Sequence, residues 1–262
     1  MRRTSAATLV GQLRVGLDRH LPDWRHHIDE LGQVAQVRAR LQGWRPSDSD
    51  AVRALFLAYV SALTDWKRIQ AARDSILGIL PDWSPAAVST CSDAELRRIH
   101  AWFLERRLGT VLLRRQLSWL RASAVVLARM SRECGSVDLF LTGNLDRDLT
   151  SILSAKDSEW KLPGVGLALA SEFLKNLGID DFKPDRHAIR MLGPERLALA
   201  ASREPSAIRE LGVRLARESG LTAAEFDQMV WLYCARGYAG VCGAEPSCGG
   251  CPLAKTCRYP GR

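Results

Sequence analysis

Two groups of residues in this 262-residue chain have types and spacings that could do chemistry. Cys242, Cys248, Cys251 and Cys257 crowd onto one C-terminal loop as C-x5-C-x2-C-x5-C, with Pro246, Gly249, Gly250 and Pro252 as turn makers between them. Four soft ligands fit either tetrahedral zinc or a cubane iron–sulfur cluster, and spacing alone leaves both open. The remaining cysteines, Cys91, Cys134 and Cys234, stand in apolar or helical surroundings and read as small buried thiols. The second group is the turn Leu162-Pro163-Gly164-Val165-Gly166 followed by Lys183-Pro184-Asp185-Arg186-His187. Glycines on both sides of Val165 permit positive φ or the close approach of another molecule, and Pro163 removes one donor and stiffens the bend. A helix beginning after Gly166 would leave free N–H groups that attract an anion such as phosphate. The same turn is also what an ordinary αα-hairpin needs for tight packing. Asp185 has two roles open to it: N-cap of the next helix, or the anion that stabilises an oxocarbenium-like sugar centre when a base departs from C1′. His187 reads as a helix residue that could reach a phosphate or Asp185.

The elements that must position these groups are helical. Apolar residues recur at helical rather than alternating spacing over 52–63, 94–104, 112–130, 167–177 and 223–235, and no segment reads as a convincing strand. Breaks fall at 43–47, 80–85, 135–136, 178–184 and 193–194, with Asp or Ser often placed to cap the helix that follows. The fold class expected is all-α. The last twenty residues form a Gly/Pro/Cys-rich loop expected to need a bound ion for order. With 47% hydrophobic and 25% charged residues the composition is globular, and a formal charge of +8 favours a polyanionic partner, nucleic acid before membrane. The N-terminal segment is broken by Gln12, Arg14 and Asp18 and reads as an amphipathic helix rather than a secretory signal; the longest apolar run, 54–63, is too short to span a bilayer. A soluble, cytoplasmic protein is expected, nucleoid-associated if bacterial.

In combination, LPGVG before a helix, D-x-H-x-x-R from Asp185 to Arg190, and the terminal "PSCGGCPLAKTCRY" resemble the endonuclease III-like helix-hairpin-helix (HhH-GPD) DNA glycosylases that carry an iron–sulfur cluster. The resemblance covers roughly residues 50–259 and includes Trp231-Leu232-Tyr233 ahead of Gly237-Tyr238. "VSALTDWKR", residues 60–68, is similar to the family segment that enters the duplex beside the target nucleotide, and Thr64-x-Trp66-Lys67 to the branch that excises methylated adenine.

The resemblance implies two helical domains with a DNA-binding cleft between them: a six-helix domain over 48–178 containing the hairpin, and a discontinuous domain of 1–47 and 179–262 carrying the cluster loop 242–257. It makes Asp185 the catalytic residue and the four cysteines the ligands of a 4Fe–4S cluster, favoured over zinc. It assigns DNA contacts to Leu162, Gly164, Val165 and Gly166 in the hairpin and to Ala62, Leu63, Thr64 and Trp66 in the inserting segment. Further DNA contacts fall to Lys161, Lys183 and His187. Lys175, Arg236, Lys255 and Arg258 are additional expected phosphate contacts. The partner is double-stranded DNA with a damaged or mismatched base, met by a monomer. Three departures shape the expectation. The position of the bifunctional members' lysine nucleophile is Ala168, so hydrolysis without a Schiff base is expected. The family's wedge glutamine is missing, its place falling at Ala62 or Leu63. The first cysteine gap holds five residues where the family commonly has six. Alkylated purine is the expected target base; the alternatives are mismatched uracil, thymine or adenine, or a non-catalytic DNA-structure binder.

Overall fold

The computed structural model describes residues 5–30, 32–62 and 64–259, with the Glu30 side chain outside that description. Every regular element among them is helical and there is no strand. In chain order the helices are α1 (Ala6–His20), α2 (Trp24–Glu30), α3 (Gln33–Leu41), α4 (Asp48–Ser61), α5 (Trp66–Ala71), α6 (Arg73–Leu77), α7 (Pro85–Ser89) and α8 (Asp93–Glu105). They continue with α9 (Leu113–Cys134), α10 (Val137–Thr142), α11 (Leu149–Ser154), α12 (Leu167–Asn176), α13 (Arg186–Leu192), α14 (Pro205–Glu218) and α15 (Ala223–Cys234). None of these is long and apolar enough to cross a membrane.

The chain divides into two compact units, one of Met1–Ala39 with Gly178–Arg262 and the other of Arg40–Leu177. The first division falls at Arg40 rather than at the expected residue 48. Arg40 explains it: its guanidinium bonds the buried Asp138 carboxylate at 2.5 Å and the Leu177 carbonyl at 2.9 Å, both in the second unit. That unit holds nine helices among the described residues where six were expected, because Ala72, Gly78 and Gly143 close helices after only five or six residues, their N–H groups bonding back into the turn they end.

In the unit 40–177, α4 is buried at every position from Ala51 to Val60 except Arg53 and forms the centre against which α9 and α12 pack. A helix apolar on all sides has to be enclosed in this way. Its start is fixed by a capping box in which Ser47 and Asp50 exchange side-chain and backbone bonds. α9 buries Leu113, Leu117, Leu120, Ala124, Leu127 and Met130, the i, i+3/i+4 stripe of a helix lying on a core, and ends at Gly135 in the left-handed conformation. Cys134, the last residue of the helix, continues the line of that stripe yet is exposed rather than buried, because the helix ends there.

The other unit is built around α15, enclosed on most sides by α1, α2, α13 and α14. Leu9, Leu13, Leu17, Val34, Phe182, Met191, Ile208, Phe226 and Tyr233 are among its core residues. The connection 178–184 is pinned at three consecutive residues. Asp180 accepts from the N–H groups of Ala223 and Ala224 at the start of α15, Asp181 is buried against Arg209 at 2.8 Å, and Phe182 is fully enclosed. A segment so held delivers Asp185 to a fixed place.

Candidate functional site

Asp185 is the N-cap of α13. Its Oδ1 accepts from the N–H of His187 at 2.7 Å and of Ala188 at 3.1 Å, so the capping role is real. Its Oδ2 accepts no hydrogen bond among the described residues, and the residue is only half-buried. The carboxylate is therefore fixed through one oxygen and open at the other. His187 sits behind it with Nδ1 buried and without a partner among the described residues. Burial lowers its pKa below the ordinary histidine value, and the Asp185 charge opposes that shift. Lys183 is half-buried before the buried Pro184, and its carbonyl accepts from the Asp185 N–H.

The hairpin turn is held by the helices beneath it. The Tyr59 hydroxyl, on α4, bonds the Pro163 carbonyl and lies 3.0 Å from Ser123 Oγ on α9, and Gln116 donates to the Tyr59 carbonyl at 2.7 Å. Burial raises the Tyr59 phenol above its ordinary pKa, so it stays protonated as a donor. Gly164 takes φ +72, and a Cβ there would stand 2.3 Å from the Trp119 indole. Gly166 is different: its φ is −104, in the ordinary region, and nothing lies within 4 Å of where a Cβ would be. Both glycines are exposed, and their N–H groups donate to no acceptor among the described residues. No side chain caps the first turn of α12. This leaves a group of outward amides on a rigid base, the arrangement that binds an oxyanion.

Other hairpin residues take different parts. Leu162 and Val165 are buried, and their N–H groups bond the carbonyls of Leu153 and Leu162, so they anchor the turn and present nothing outward. Lys161 Nζ bonds the Ser154 carbonyl and the Val165 carbonyl, the latter at 3.2 Å, and so staples the turn. Ala168 is the second residue of α12. Lys175 is wholly buried beside Glu172 at 3.7 Å and cannot be a phosphate contact, whereas Arg236, Lys255 and Arg258 are exposed.

In the inserting segment, Ala62 closes α4 with its N–H on the Tyr59 carbonyl, while Leu63 lies outside the described residues. Thr64 Oγ1 and Trp66 Nε1 are both buried without a hydrogen-bond partner among the described residues. Two orphaned polar atoms two residues apart carry a desolvation cost.

The cysteine loop is tied to the core of its unit by Val241 and Leu253, both buried, which supply apolar anchors that the composition of the segment did not reveal. Cys242 N–H bonds the Tyr233 carbonyl, Arg258 N–H the Arg196 carbonyl, and a short 3-10 turn spans Cys248–Gly250. Donors approach three of the sulfurs. Arg196 Nη1 lies 2.9 Å from Cys242 Sγ, the Tyr233 hydroxyl 3.0 Å from Cys251 Sγ, and the Tyr259 N–H 3.5 Å from Cys257 Sγ. A hydrogen bond from Cys234, together with the Arg196 guanidinium, pushes the Cys242 thiol down to about 6, against burial. Burial raises the Cys251 thiol. The donor set thus suits sulfur ligation, although among the described residues no group of three or more His, Cys, Asp or Glu side chains is arranged to hold a metal ion. Arg196, Tyr59 and Trp119 are supporting residues that sequence spacing did not single out. Each acts across a long stretch of chain, and no local pattern announces such a partner. No family model, curated protein or solved structure matches this chain.

Proposed function

We propose that this chain is a monofunctional DNA glycosylase with the two-domain helix-hairpin-helix architecture, excising an alkylated purine flipped out of a duplex. The observation that carries the proposal is the divided use of Asp185, whose Oδ1 caps α13 while Oδ2 is left without a partner among the described residues. A pure cap needs one acceptor atom, and a preorganised carboxylate with a free oxygen is what an oxocarbenium-like centre calls for. In the reaction the bond from C1′ to the base nitrogen breaks and its electron pair leaves with the base. Asp185 stabilises the positive charge that develops on the sugar and orients the water whose oxygen adds to C1′ and whose proton passes to Asp185 Oδ2. The open amides of Gly164 and Gly166 would seat a backbone phosphate, which positions the duplex without reading sequence.

Cys242, Cys248, Cys251 and Cys257 would hold a 4Fe–4S cluster, which when bound would cross-link the loop that Val241 and Leu253 anchor. Protein purified without oxygen should contain about four iron and about four sulfide per chain. Stoichiometric zinc without sulfide would contradict the assignment.

Hydrolysis rather than lyase chemistry follows from Ala168 and from Lys161, whose ammonium is engaged by two carbonyls. Duplexes carrying one defined alkylated purine should therefore break only after alkali or an added abasic-site nuclease, and borohydride should trap no covalent complex. Efficient trapping would identify an amine nucleophile and overturn the monofunctional assignment.

A further inference from the structure

Beyond the excision site, the unit containing α13 carries a cavity of about 310 Å³ lined by Arg186, Ile189, Arg190, Glu195, Arg196, Arg203 and Tyr259. We propose that this cavity is a second phosphate-binding site, taking the oxyanion of either a DNA backbone phosphodiester or a free phosphate compound.

Four guanidinium groups face a single carboxylate there, leaving three positive charges in one concavity. Their commitments differ. Arg203 is paired with Glu195 at 2.8 Å, and Arg196 is buried with its guanidinium on the Cys242 and Gly243 carbonyls and the Cys242 sulfur. The side chains of Arg186 and Arg190 make no hydrogen bond or ion pair among the described residues. They lie four residues apart on one face of α13, with Ile189 beside Arg190 on the same wall. Like charges so placed repel, and an anion between them converts that repulsion into charge-assisted bonds of the forked geometry for which guanidinium and phosphate are matched. Tyr259, with Arg196 5.0 Å from its ring centroid, gives the cavity an aromatic wall. The volume lies near the lower end of the range of about 300–1,000 Å³ typical of small-molecule sites, enough for a phosphate and its immediate substituent. The site is independent of base excision, since a chain that removed no base could still hold phosphate here.

The test compares the full chain with Arg186→Gln/Arg190→Gln and with Arg214→Gln/Arg217→Gln, a control that removes two arginines from α14, outside the cavity. Pyrophosphate is titrated by calorimetry, and an undamaged duplex by fluorescence anisotropy across a salt series. Loss of pyrophosphate affinity by about tenfold or more in the cavity variant alone assigns the site to free phosphate compounds. Loss confined to the duplex, with a salt slope reduced by about 0.9 for each phosphate contact removed, assigns it to the DNA backbone. Either result supports the proposal. A cavity variant that binds both ligands as the control does, or a wild type that binds neither, overturns it. If the double variant does not fold, Arg186→Glu replaces it, because the exposed Arg186 side chain bonds nothing among the described residues.

Discussion

Gly164→Ala should cost the unit 40–177 on the order of 2–5 kcal/mol, whereas Gly166→Ala should leave its stability within about 1 kcal/mol while weakening duplex binding. The two glycines are separated by one residue and differ in what constrains them. At Gly164 the constraint is internal: φ is +72, and a methyl group would stand 2.3 Å from Trp119, an indole flanked by the hydrogen-bonded Tyr59 and unable to retreat without disturbing the turn. Left-handed backbone costs an L-residue about 1–2 kcal/mol, and an overpacked contact adds about 1–3 kcal/mol. That is a large share of a typical domain stability of about 5–15 kcal/mol. At Gly166 nothing among the described residues opposes a Cβ, so a methyl there intrudes only on what approaches from outside. Denaturant unfolding and duplex anisotropy separate the effects, and the loss of binding should be similar for damaged and undamaged DNA because a phosphate seat carries no base information. A Gly166→Ala variant that binds duplex as tightly as wild type would show that the hairpin seats no phosphate.

The helical class and most of the long helices were legible because their signals are local. The stripe of α9, the capping Ser47, and the Gly and Pro breaks all act within a few residues of where they are read. The helix expected over 223–235 occupies 223–234, and that expected over 94–104 occupies 93–105. Long-range choices were not legible. Lys175 reads as a surface charge in the last turn of α12, yet the fold encloses it beside Glu172. Lys161 reads as a phosphate contact, yet the Ser154 carbonyl at the end of α11 and the Val165 carbonyl of the turn capture its ammonium. The cysteine loop reads from its Gly, Pro and Cys content as a segment without apolar anchors, and the burial of Val241 and Leu253 was not apparent from it. For the candidate site, Asp185 could be read from its neighbours as a cap, and only the structure shows that capping engages one oxygen and leaves the other without a partner.

Asp185→Asn should fold, bind lesion-bearing duplex at least as well as wild type, and excise about a hundredfold more slowly or worse. Asparagine caps a helix about as well as aspartate, and its Oδ1 can keep the bonds to the His187 and Ala188 N–H groups. What disappears is the negative charge. A preorganised charge facing a developing cation in a water-poor site contributes several kcal/mol, and each factor of ten in rate is about 1.4 kcal/mol. The most direct measurement is single-turnover release of free base from duplexes carrying one alkylated purine, followed for wild type and Asp185→Asn under identical conditions. The account predicts base release by wild type with an intact strand, and a rate in the variant lower by about two orders of magnitude or more. Variant rates near wild type would leave Asp185 a helix cap and nothing more, and a wild type that releases no base from any such duplex would contradict the assignment to base excision of alkylated purines.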